Sequence, residues 1–91
     1  MLKTNFMIET RILGLLITDR IKEAGRTQLL LSKYSKLIRS RLGFHELNDS
    51  ICSRSGIIVL HLIGNPEDWD QFEGELGDIG GLEVQKMSFS Y

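Results

Sequence analysis

The chain is poor in the residues that announce specialised chemistry. One cysteine in 91 residues, Cys52, excludes an intrachain disulfide and any C-x-x-C metal or redox motif. One proline leaves no room for a proline-rich linker. Neither sign of charge dominates: 11 basic and 12 acidic side chains give a formal charge of −1, so no whole-chain basic field exists to hold a phosphate backbone. No apolar run approaches the ~18 residues that a membrane span needs, and residues 1–7 hold too short an apolar stretch for a secretory signal. These absences argue against a nucleic-acid binder, a membrane protein and a disulfide scaffold, and they point to a cytoplasmic protein with a reduced thiol. What is present is ordinary for one small soluble domain, 42% hydrophobic and 25% charged.

Residues 10–18 (TRILGLLIT) form a nearly continuous apolar run bounded by charge, the pattern of a strand covered on both faces. Residues 20–35 change period: Ala24, Thr27, Leu31 and Tyr34 recur at i, i+3, i+7 and i+10, which predicts an amphipathic helix capped by Asp19. Residues 36–44 (KLIRSRLGF) alternate, placing Ile38, Ser40 and Leu42 opposite Arg39 and Arg41, as expected for a half-polar edge strand. Residues 45–55 have no period and read as a long connection. Residues 57–63 (IIVLHLI) are a second doubly apolar strand.

Asn65-Pro66-Glu67-Asp68 combines a side-chain cap, a proline at the first helical position and carboxylates at the positive end of the dipole. Trp69, Phe72, Leu76 and Ile79 continue the helical spacing, and Gly80-Gly81 ends it. Residues 82–89 (LEVQKMSF) close the order strand, helix, strand, strand, helix, strand.

That order predicts an α+β chain with a ferredoxin-like βαββαβ sandwich: an antiparallel sheet of order 4-1-3-2 with two helices on one face. Residues 1–8 are set apart as an N-terminal extension and 9–91 as the domain. The helices leave the second sheet face bare, although the central strands are apolar on both sides. Leu13, Leu15, Ile17, Ile57, Val59 and His61 are therefore expected at an interface between copies, giving a dimer or tetramer. Gly74 and Gly77, costly inside a helix, suggest a close backbone approach there, to the sheet or to a partner subunit.

Enzymatic signals are missing. No phosphate cradle precedes either helix, and no RNA-stacking aromatic motif marks the first or third strand. Asp68, Asp70, Glu73 and Glu75 read as a solvated helix face. His45, Cys52 and His61 are the imidazole and thiolate groups of the chain, at spacings of seven and nine residues that match no compact metal motif; a packed or interface role suits His61. Arg39 and Arg41, two apart on an edge strand, suit either an anion pair or a charge guard against aggregation. The expectation is a protein that is not an enzyme and carries no cofactor.

Three segments carry a family likeness: Glu9-Thr10-Arg11, Arg41-Leu42-Gly43-Phe44 and, most specifically, Gly74-Glu75-Leu76-Gly77-Asp78-Ile79-Gly80-Gly81-Leu82-Glu83-Val84-Gln85-Lys86. Together, over about residues 8–88, they resemble the family of regulators assigned to the iron-only hydrogenase system, whose helix-to-strand junction reads G-x-L-G-x-I-x-G-V-x-V-K. The resemblance implies an ACT-like domain, related to the ligand-sensing domain of nickel-responsive repressors and forming dimers or tetramers. It also implies a role in regulating hydrogenase genes or their assembly. A small effector would then sit where the Asp19-Arg20 turn approaches a neighbouring subunit, with Arg39 and Arg41 as further anion ligands, and a separate regulatory protein would read the state. A structural assembly protein without ligand and a metal-sensing domain are the alternatives.

Overall fold

The computed structural model describes residues 8–18, 20–44 and 56–91. The elements in chain order are β1 (Glu9–Ile17), α1 (Arg20–Lys33), a 3-10 turn (Ser35–Leu37), β2 (Ile38–Phe44), β3 (Gly56–Leu62), α2 (Pro66–Gly77) and β4 (Leu82–Ser90). All pairings are antiparallel. The sheet order is β2-β3-β1-β4, which read from the β4 edge is 4-1-3-2. The two apolar strands lie in the middle because only there do neighbours cover both edges, and the half-polar strands take the outside. This small α+β arrangement is consistent with a ferredoxin-like fold.

Both helix patterns produce the faces that their spacing demands. Thr27 and Leu31 of α1 are buried and Tyr34 is half-buried, whereas Ala24 belongs to a stretch whose side chains lie outside the description. Trp69, Phe72 and Leu76 of α2, with Ile79 just beyond it, are all buried. The start of α2 is set by Asn65, whose side-chain Oδ1 accepts from the Glu67 amide at 3.0 Å, and by Pro66 behind it. Beyond its C-terminus the left-handed backbone sits at Gly81 alone, φ +80°.

The glycines inside α2 do not serve a close approach to the sheet: a Cβ on Gly74 or Gly77 would meet nothing within 4 Å among the described residues. The acidic face also differs from the solvated one expected. Glu73 is largely buried and pairs with Arg11 and, at 3.4 Å, with Lys86; Asp70 accepts from Arg11 at 2.8 Å. Glu75 accepts from the Tyr34 hydroxyl and holds Lys33 at 2.8 Å. Asp70, Glu73 and Glu75 thus fasten the helix to β1, α1 and β4, while Asp68 stays on the solvated face as expected.

The core under the helices is built from Leu13, Leu15 and Ile17 of β1 and Ile58, Leu60 and Leu62 of β3, closed by Leu31, Trp69, Phe72, Leu76 and Ile79. This corrects the expected interface set. In the antiparallel register Leu13 faces Leu60 and Leu15 faces Ile58, so Leu13, Leu15 and Ile17 point to the helices together with those β3 residues. Ile57, Val59 and His61 point the other way, and their β1 partners are Leu16, Gly14 and Ile12. The two triplets expected to share one interface lie on opposite faces, because both strands are apolar on both sides and alternation alone gives no parity.

Candidate functional site: the open sheet face and its margins

The face away from the helices carries Ile12 and Leu16 from β1, Leu42 from β2, Ile57 and Val59 from β3, and Met87 and Phe89 from β4, assigned by register. Leu42, Ile57, Met87 and Phe89 are each at least 45% exposed, unusual for large apolar side chains gathered on one surface. At seven residues of ~3.4 Å by four strands of ~4.8 Å, the face spans roughly 24 × 19 Å, or about 450 Å² in projection. Two such faces in contact reach about 900 Å² before side-chain relief is added, close to the ~1,000 Å² that a specific interface clears.

The aliphatic surface is not continuous: by the same register Thr10, Ser40, Glu83 and Gln85 share the face, and Gly14 and His61 interrupt it near its middle. Gly14 sits in the middle of central β1, beside Val59 and Gln85, and nothing lies within 4 Å of where its Cβ would be. Nothing among the described residues requires glycine there, and glycine inside a strand weakens it unless another backbone or a ligand comes near. His61, in β3, is half-buried, and its Nε2 lies 2.5 Å from the hydroxyl of Thr10, which is itself 3.2 Å from the Leu62 carbonyl. The histidine is a packed residue of this face, bonded within the chain. His45 and Cys52 fall outside the described residues, and among those described no group of three potential metal ligands gathers.

On the helix side, Arg11 extends beneath α2. Its guanidinium holds Asp70 and Glu73 and lies 5.1 Å from the centre of the Trp69 ring, whose Nε1 donates to the Ile63 carbonyl at 2.8 Å. Its pKa is raised, first by the hydrogen bond to Asp70 and against the opposing effect of burial. This cluster closes one end of the core and has no signal in sequence spacing, because its members lie 59 and 62 residues apart.

The four residues expected at an effector site do not all come into view together. Asp19 lies outside the described residues, and Arg20 is placed only as the first residue of α1, its side chain not described. Arg39 and Arg41 are both exposed and line one recess beside α1. Their strand is less regular than the alternation suggests. Ile38 pairs with Leu62 and Ser40 with His61, so two steps on β2 match one on β3 and Arg39 is the extra residue of a bulge. Ile38 therefore shares the helix side with Arg41, not the open face with Ser40 and Leu42.

No protein-family model and no curated protein matches the chain. Among solved structures it is similar to the uncharacterized protein TM1266 from Thermotoga maritima, at 25% sequence identity and a TM-score of 0.76, over 91% of this chain and 98% of that one. The likeness extends the α+β architecture to a second protein and carries no activity with it. Among the described residues no helix is long and apolar enough to cross a membrane.

Proposed function

We propose that the chain is a non-catalytic ACT-like regulatory module, a homo-oligomer that packs copies through the open face of the sheet and senses a small effector. The observation that carries the assembly is that face, with Ile12, Leu16, Leu42, Ile57, Val59, Met87 and Phe89 on the side without helices. None of these side chains is more than 58% exposed in the single chain, so each gains roughly half of the ~1.5 to 3 kcal/mol of full burial. Summed over two copies this is about 10 to 20 kcal/mol, against an association cost of about 4 to 15 kcal/mol. Gly14, bare at the centre, is where a partner side chain can enter. The apolar occupant that fits an apolar face of these dimensions is the same face on a second copy.

The regulatory half of the reading is supported by the resemblance of residues 74–86 to the junction of the hydrogenase-system regulators. Size-exclusion chromatography with light scattering at low micromolar concentration tests the assembly. The expected mass is a multiple of 10.4 kDa, and a single-chain mass overturns the reading.

A further inference from the structure

Three places away from the open face gather polar side chains. At the Arg11 cluster, Arg11 already holds Asp70 and Glu73, and Glu73 also pairs with Lys86. The hollow between α1 and α2 is lined by Lys33, Glu75 and Asp78 among others and carries both signs, with Lys33 and Glu75 joined at 2.8 Å. The third, of about 280 Å³ beside β2, is lined by Ser32, Ser35, Arg39 and Arg41 over an apolar floor of Leu31 and Ile38. No acidic residue lines it. Arg41 gives one bond, at 3.2 Å, to the neutral amide oxygen of Gln28, and Arg39 has no partner among the described residues.

The geometry points to this recess as a binding site for the phosphate monoester of a small organic molecule. Guanidinium groups present paired N–H donors in a plane that matches phosphate oxygens, and hydroxyls of Ser32 and Ser35 supply further donors. Two guanidinium groups and two hydroxyls offer more donors than the two oxygens of a carboxylate take up, whereas a phosphate monoester has three peripheral oxygens and close to two charges. The organic body rests mainly on Ile38, since Leu31 is 2% exposed, and the volume falls just below the ~300 Å³ lower end for small-ligand sites. The bulge is part of the site, since it takes Arg39 out of the regular ladder next to Arg41. A charge guard on an edge strand needs only exposed charge; it does not need a recess with serines on one wall and aliphatics beneath. The site rests on the sensor reading only for what binding serves, because all its residues come from one chain.

The test is an amide-resolved NMR titration of the ¹⁵N-labelled full chain with inorganic phosphate and with phenyl phosphate, at fixed ionic strength. Saturable shifts confined to residues 31–41 are expected, with phenyl phosphate the tighter ligand. Arg39→Ala and Arg41→Ala each weaken binding about tenfold or more, and Arg39→Lys recovers part of the loss. Both positions are exposed, so the variants retain the wild-type amide spectrum elsewhere. Absence of saturable shifts at millimolar phosphate, shifts scattered over all basic residues, or unchanged binding in either alanine variant overturns the assignment. Light scattering on the same samples separates the two readings: an oligomeric mass without phosphate binding removes the site and leaves the assembly, and a single-chain mass with saturable binding does the reverse.

Discussion

Val59→Asp is expected to separate the copies without unfolding them. Val59 lies on β3 between Gly14 of β1 and Leu42 of β2, near the middle of the open face. In the isolated chain a carboxylate there stays partly hydrated, and the fold loses only the ~1 kcal/mol that separates a β-branched from an acidic residue in a strand. Between two sheets it is desolvated and unpaired, a condition that costs about 3 to 5 kcal/mol. At 1.4 kcal/mol per decade this raises the dissociation constant by roughly two to three and a half orders of magnitude, turning a micromolar assembly into single chains at ~10 μM. Light scattering reads the mass and far-ultraviolet circular dichroism the fold. The neighbouring Leu60→Asp is the control: Leu60 is fully buried under the helices, and a charge there exceeds what the ~5 to 15 kcal/mol stability of a small domain tolerates. If Val59→Asp keeps the oligomeric mass of the wild type, the open face is not the contact.

Three further outcomes follow from named contacts. Gly14→Val adds a β-former where nothing lies within 4 Å, so the single chain keeps its fold, while the filled notch raises the dissociation constant about tenfold or more in sedimentation equilibrium. Thr27→Val removes a hydroxyl that is buried without a hydrogen-bond partner among the described residues, and the urea midpoint should rise by the equivalent of about 1 kcal/mol; a fall would show that the hydroxyl is bonded. Arg11→Met leaves Glu73, 14% exposed, with Lys86 alone at 3.4 Å, and should cost about 2 to 3 kcal/mol in the same assay, most of it restored by adding Glu73→Leu. Because the Arg11 pKa is raised, its contribution is complete below the ordinary arginine value and does not vary across neutral pH.

Much of the architecture was legible because its signals are local. The i, i+3, i+7 spacing of Trp69, Phe72 and Leu76 selects a buried helix face wherever the helix docks, and Asn65-Pro66 fixes where it begins through bonds made within three residues. The apolar density of β1 and β3 places them centrally before any pairing is known. The readings that failed depended on partners distant in sequence. The local pattern reads Glu73 as a solvated helix residue, but Arg11, 62 residues away in the chain, pairs with it. The bulge at Arg39 is a mismatch between two strands, and neither strand alone encodes it. Gly74 and Gly77 read as sites of close approach to the sheet, but no described residue comes within 4 Å of where their Cβ atoms would be.

The sequence by itself determined the elements, their order and the presence of more apolar strand surface than two helices can cover, since periodicity and composition are properties of each segment. Only the tertiary structure decided which face of that surface is covered. In β1, Leu13, Leu15 and Ile17 compete with Ile12 and Leu16 for the interior on nearly equal hydrophobic terms. Pairing with Leu60 and Ile58 beneath Trp69 and Phe72 settles the parity. A shift of one residue would exchange the two faces, so the register fixes both what holds the domain together and what it presents to another molecule.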